Sequence, residues 1–502
     1  MTQSPTEITA ARQRVTALYS ADVFGRAAKS WTAELTQHFR ALETRSAPVL
    51  NWSDPAETVA DALDSLSQTP LPYDAIDAWL QRFTDLLHTM LARGQNLHHP
   101  RYVGHQVPAS VPLAGLFDAL GSATNQVMAI YEMGPWATAV ERAMIAQLGA
   151  EIGYRRDSFC GIVTHGGSLA NLTALLTARN VAIEGVWRTG TTGSARPVLV
   201  VQQDVHYCVV RAAGILGIGT DEVIRIPVDE RRKMRLDALD DALADLKRDG
   251  RTVIAVVAGA CATPIGAFDP LNDIADICER HGVWFHVDAA HGGAVLLSDR
   301  YRQRVRGLER ADSVVWDAHK MLFMPALCAF VFYRDRQHRF TAFEQDAPYL
   351  FDPTDPGIAE YDSGTQTIEC TKRAAAFSLW GIWSLFGRQL FRDLVDVTFD
   401  LASLFHAKLS DADDFEPLHV PECNIQVFRY LPDFVRSWPA ERLGQFQLEL
   451  RRAVITSGRA YIVPVKMDGV GALRATLINP CTTGTDLDEV MNAIRHCAKE
   501  IT

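Results

Sequence analysis

From about residue 100 to 340 the sequence alternates short β-branched runs with stretches of helical periodicity, and this alternation leaves the chain few architectures. The runs are Val198 to Val201, Val253 to Val257, Val283 to Val287, Ser313 to Trp316 and Ala329 to Tyr333. Valine, isoleucine and aromatic side chains fit a pleated surface, while the intervening segments place apolar residues three and four apart. Strands joined through helices run parallel, so the expected class is α/β, a mostly parallel sheet covered by helices. One crossover reads residue by residue: Asp269 caps, Pro270 takes the first helical position, Leu271, Ile274, Ala275, Ile277 and Cys278 form a buried stripe, and Gly282 stops the helix. Ligands of such sheets gather at the carboxyl ends of strands, where Asp288 and the pair His319 and Lys320 fall.

Lys320 leaves an apolar run and is followed by Met321 to Pro325, surroundings in which an ammonium is expected to be costly to keep charged. Such a lysine is suited to form an imine with an aldehyde. Pyridoxal phosphate requires one, together with an acid for its pyridinium nitrogen, a flat group against the ring and donors around the phosphate. The chain offers these in order. Gly166, Gly167 and Ser168 open a helical pattern from Leu169 to Arg179, aiming free backbone N–H groups and the helix dipole at an anion. His206 can stack on the ring, Asp288 can hold its nitrogen protonated, and Lys320 can carry the cofactor.

At these residues the chain resembles the group II pyridoxal-phosphate-dependent amino acid decarboxylases, the family of glutamate, cysteine sulfinate and aromatic amino acid decarboxylases. The motifs are His206-Tyr207, Gly266 to Pro270, His286 to Gly293 and His319-Lys320, in order within a similarity running from about His99 to the C-terminus. Tyr361 to Cys370 looks most like the glutamate and cysteine sulfinate branch. The resemblance implies a fold-type I, aspartate aminotransferase-like large domain over 98–387, an N-terminal helical dimerisation segment over 1–97 and a small α+β domain over 388–502. It implies a homodimer and decarboxylation of an L-amino acid to an amine, with an acidic substrate favoured. An aromatic or diamino acid substrate, oxidative deamination to an aldehyde, and a non-catalytic cofactor-binding protein are the alternatives. Carried onto this chain, Lys320, Asp288, His206 and His319 are the catalytic set. Gly167, Ser168, Thr263 and Ala290 join them around the cofactor, and His105, Gln106 and Arg474 face the substrate, Arg474 at a position that holds a substrate carboxylate.

The chain departs from the family pattern in four places. His291 replaces an aromatic residue, Asp317 replaces an asparagine, and Ala262-Thr263 replaces a pair of threonines. A carboxylate at 317 would repel a phosphate unless it points away or pairs with a cation. Gly357 stands where the glutamate branch carries the tyrosine credited with returning a proton to the α-carbon, which leaves Tyr349, Tyr361, His319 or water to do so. The segment from Glu344 to Gly357, rich in proline and acids, reads as a loop and a lid.

Composition closes off other classes. A net charge of −11 without a basic run argues against a nucleic-acid partner. The apolar stretches are too short to span a bilayer and the N-terminus lacks signal-peptide features, so no membrane association and a cytoplasmic location are expected. The 9 cysteines are scattered with no Cys-x-x-Cys, which suits reduced thiols and leaves no metal site. Gly214 to Gly219 mimics a dinucleotide fingerprint, but its glycines follow a helical pattern and close it.

Overall fold

The structure is a computed structural model, and it describes residues 5–191, 196–343 and 360–501. Its centre is a seven-stranded sheet. The strands are β1 (Cys160–Thr164), β2 (Pro197–Gln202), β3 (Val223–Ile226), β4 (Thr252–Gly259), β5 (Phe285–Asp288), β6 (Ser313–Asp317) and β7 (Ala329–Tyr333), in the spatial order β1-β7-β6-β5-β4-β2-β3. Pairings from β6 across to β3 are parallel. Only β7 runs against its neighbours β1 and β6. The mostly parallel α/β sheet expected from the alternation is therefore present, with strand bounds within a few residues of those read from the β-branched runs.

Burial on both faces explains why these strands read as continuous apolar runs. Successive side chains alternate: Val256, Val287 and Val314 enter one core, while Ala255, Val257 and Val315 enter the other. The helix Leu271–His281 covers the first face with Leu271, Ile274 and Cys278. The helix Gly167–Ala182 covers the second with Ala170, Ala174 and Leu175. Register then sets the chemistry, since Asp288 lies opposite Gly259 of β4 and Val315 of β6.

The Leu271–His281 helix corrects one expectation. Pro270, not Asp269, occupies the capping position, and Gly282 ends the helix at φ 66°. The Asp269 carboxylate instead accepts the backbone N–H groups of Met234 at 2.8 Å and Gly259 at 2.7 Å. Its burial pushes it up to about 7 despite these bonds. An aspartate before a proline looks like a cap locally, but donors brought by β4 and a distant loop take it.

The chain groups into two compact units, one of Met1–Gly104, Trp438–Leu473 and Cys481–Thr502, the other of His105–Ser437 and Arg474–Pro480. In the first, Arg45 grips Asp486 through two hydrogen bonds of 2.6 and 2.7 Å. Its helices Pro55–Ser67 and Ile76–Arg93 leave Leu63, Leu66 and Met90 exposed. The second holds the main sheet and the helix Phe377–Ser410, interrupted at Gly387.

Candidate active site

The strand ends of the second unit surround a cavity of about 380 Å³. A wider one of about 600 Å³, lined by Glu141, Arg142 and Tyr361 among others, contains neither the lysine nor the aspartate that the sequence singles out. Gly167, Ser168, His206, Thr263 and Asp288 line the smaller cavity, as do Ala290, His319, Lys320 and Gln106. His105 is exposed and is not on its wall. Arg474 is not there either: it is 7% exposed and donates Nη1 to the carbonyl of Thr263 at 3.1 Å, so it lies behind a wall residue. Tyr361 stacks edge-on against Tyr131 beneath the Arg142 guanidinium and lines the larger cavity. Tyr349 and Gly357 lie outside the described residues, as does the expected lid.

At one end of the cavity, β1 turns through His165 and Gly166 into the helix Gly167–Ala182. Gly166 has φ 111°, a conformation that L side chains rarely adopt, and the turn leaves the first N–H groups of the helix directed outward. Asp288 also lines the cavity; its Oδ1 accepts the N–H of Ala290 at 3.1 Å and its Oδ2 accepts Asn171 Nδ2 at 3.3 Å.

Behind Asp288 runs a polar relay that the sequence reading missed. Trp284 Nε1–H donates to Ser313 Oγ at 2.9 Å, leaving the Ser313 hydroxyl to donate to His286 Nδ1 at 2.8 Å. His286 Nε2–H then donates to Asn171 Oδ1 at 2.9 Å, and the Asn171 amide donates onward to Asp288 and, at 2.9 Å, to the Gly167 carbonyl. Burial pushes His286 down to about 4, so it is neutral and one tautomer satisfies the whole chain. The available signal was Asn171 itself, an amide beside the apolar Ala170, Ala174 and Leu175 of that helix.

His206 caps the helix Tyr207–Ile215, with Nδ1 accepting the N–H of Cys208. Burial lowers its pKa against the pull of Asp288, which gives a neutral flat ring beside the carboxylate. His291 is buried, hydrogen-bonded through Nε2 to Asn424 Oδ1 at 2.8 Å, and pushed by burial down to about 3. A neutral imidazole therefore replaces the family's aromatic ring. His319 Nδ1 approaches the Cys328 carbonyl at 2.8 Å.

The electrostatics of Lys320 differ from the expectation. Burial alone pushes its ammonium down, as supposed, but the carboxylates of Asp317 and Asp288 outweigh that, and the net shift is upward. Lys320 Nζ is 3.0 Å from Asp317 Oδ2. The resting lysine is thus a stabilised cation, and Asp317 is the neighbour responsible.

These groups fit pyridoxal phosphate: a lysine, a restrained carboxylate, a flat neutral ring and an anion-binding turn face one enclosed space. Asp317 is the one discordant member. Among the described residues no group of three or more His, Cys, Asp or Glu could hold a metal, and no helix is long and apolar enough to cross a membrane.

Comparison with known proteins agrees with this chemistry. Residues 64–431 match the model of the pyridoxal-dependent decarboxylase conserved domain. The acidic amino acid decarboxylase GADL1 of Xenopus tropicalis is 29% identical over 464 residues, covering 90% of this chain and 88% of its own length. The crystal structure of mouse CSAD superposes with a TM-score of 0.84 at 26% identity and covers 99% of each chain. The Oryza sativa TDC structure with PLP and tryptamine shares the fold, with a TM-score of 0.85 at 21% identity over 96% of this chain and 99% of its own.

Proposed function

The chain belongs to the pyridoxal-dependent decarboxylase family, enzymes that use pyridoxal phosphate, and from that premise we propose that it removes the carboxyl group of an acidic L-amino acid such as glutamate, aspartate or cysteine sulfinate. The observation that carries the reading is the meeting of Lys320, Asp288 and the Gly166–Gly167 turn in one cavity. When bound, the cofactor supplies an electron sink for the pair left behind as carbon dioxide departs.

In this reading Lys320 holds the cofactor's aldehyde carbon covalently. Asp288, oriented by Ala290 N–H and Asn171, holds a proton on the ring nitrogen. His206 stacks on the ring as a neutral imidazole. Gly167 and Ser168 bind the phosphate, Thr263 and Ala290 line the ring's edge, and His319 moves protons at the lysine. Gln106 faces the substrate from the cavity wall, and His105 acts beside it from outside that wall. Arg474 draws the substrate carboxylate from behind Thr263, whose carbonyl it holds. The likeness to a relative named an acidic amino acid decarboxylase supports the substrate class.

The functional division is 1–97 for dimerisation, 98–387 for the cofactor and 388–502 as the small domain. Exposed Leu63, Leu66 and Met90 support a homodimer, since a lone chain would leave them in water. Free thiols among the described residues support a cytoplasmic location.

The experiment is carbon dioxide release across the proteinogenic amino acids and cysteine sulfinate. Turnover confined to acidic substrates is expected, with Arg474→Ala raising KM about ten-fold or more and changing kcat less. Preference for an aromatic or diamino acid would overturn the substrate class, and an unchanged KM would remove Arg474 from carboxylate recognition.

A further inference from the structure

Asp317 is the last residue of β6 and is 1% exposed. A Cβ placed on Gly167 would meet its Oδ2 at 2.7 Å and Oδ1 at 3.1 Å, so the carboxylate lies against the first residue of the helix that forms the anion-binding turn. Both oxygens are buried, and among the described residues no backbone N–H or neutral side chain donates to either. Its charge is balanced by the Lys320 ammonium at 3.0 Å, with His319 Nε2 at 3.6 Å.

Among the described residues the other titratable groups around it add no second cation. Burial lowers the pKa of His206, Asp288 is a carboxyl group and no source of positive charge, and burial pushes the thiols of Cys208 and Cys328 upward. Beyond Cys328, Lys372 is consumed by Glu141. When Lys320 forms its bond to the cofactor's aldehyde carbon, the carbonyl oxygen leaves as water and the lysine nitrogen becomes part of the cofactor, turned toward the ring. At the same moment a phosphate dianion arrives at the turn that Asp317 abuts. A buried carboxylate and a phosphate in contact cannot both keep full charge.

We propose that Asp317 enters the phosphate site as the neutral acid, donating its hydroxyl to a phosphate oxygen, so that capture of pyridoxal phosphate takes up one proton from solution that capture of pyridoxal does not. The step balances: with either aldehyde two protons of the Lys320 ammonium leave in the departing water and the third has the same fate in both cases, and with the phosphate one further proton from water neutralises the Asp317 carboxylate. The inference rests on the reading that this site binds pyridoxal phosphate through Lys320. It explains how a carboxylate can stand where the family places an asparagine, since a protonated Asp317 offers a donor as an asparagine amide does.

The test is calorimetric titration of the cofactor-free full-length protein with pyridoxal phosphate and with pyridoxal near pH 8, in buffers of different ionisation enthalpy. The wild-type protein should take up about one proton more with pyridoxal phosphate than with pyridoxal. Relative to pyridoxal, its affinity for the phosphate should fall about ten-fold per pH unit. Asp317→Asn should abolish both differences, and the wild-type proton count stands alone if that variant does not fold. Equal proton counts for the two ligands, or parallel pH slopes in wild type and Asp317→Asn, would overturn the proposal. The absence of any visible absorbance band with either aldehyde would instead overturn the reading of the Lys320 site itself.

Discussion

Replacing Lys372 by methionine should be among the most destabilising single changes in this chain. Lys372 is 3% exposed and Glu141 is 4% exposed. The ammonium donates to the two Glu141 oxygens at 2.6 and 2.7 Å and to the Val163 carbonyl at 2.7 Å. Val163 N–H donates back to Glu141 Oε1 at 3.2 Å. Lys372→Met therefore strands a nearly fully buried carboxylate with a single N–H, at a cost of about 3–5 kcal/mol. Removing both charges in Glu141→Leu with Lys372→Met leaves the two Val163 backbone groups unpaired, roughly 1–3 kcal/mol each, but one of them, the carbonyl, is orphaned by Lys372→Met as well, and no charge is stranded. The double variant should thus be more stable than Lys372→Met alone. Urea denaturation followed by circular dichroism measures both. Val163 lies two residues before His165, so cofactor affinity should fall with stability, while turnover at saturating cofactor changes less. A loss below about 1 kcal/mol for Lys372→Met, or losses that simply add in the double variant, would show that water reaches the pair.

Two further perturbations probe the relay and the buried histidines. Asn171→Ala removes the amide that donates to Asp288 Oδ2 and the acceptor for His286. Fluorescence titration should show cofactor affinity lowered about ten- to hundred-fold, as expected for losing a buried hydrogen bond to a charge, and an unchanged affinity would detach the relay from the site. His286 and His291 are held down at about 4 and about 3, below the ordinary 6.5, while Asp269 is held up at about 7. Between about pH 6.5 and 4 the unfolded chain binds two histidine protons that the folded chain refuses, against one that only folded Asp269 keeps. This trio therefore makes stability fall by about 1.4 kcal/mol per unit as pH drops through that window. Asp269→Asn should steepen the fall of stability with decreasing pH by about 1.4 kcal/mol per unit across that window, and an unchanged slope would refute the assignment.

What the sequence revealed follows from how each feature is held. Ala329–Tyr333 and Ser313–Asp317 were readable because burial on both faces forces continuous apolar runs. Asp288 was readable because its strand ends where ligands bind. The relay was not, since the distant partners of Asn171, His286 and Asp288, come from β5, more than a hundred residues away. Asp269 resembled a cap because a local pattern cannot report the distant donors that claim it. The burial of Lys320 was legible, but the sign of its shift was not. Asp317 sits three residues earlier in plain view, yet only the turn after β6 brings its carboxylate to the ammonium. Arg474 showed its charge but not its place behind Thr263.

The central claim is that Lys320 carries the cofactor at the end of β6. Incubating the protein with pyridoxal phosphate, reducing with borohydride and mapping the peptides by mass spectrometry tests it without assuming any substrate. The account predicts a single phosphopyridoxyl group on the peptide containing Lys320, absent from Lys320→Ala. A label on another lysine, or none on a folded protein, would contradict it.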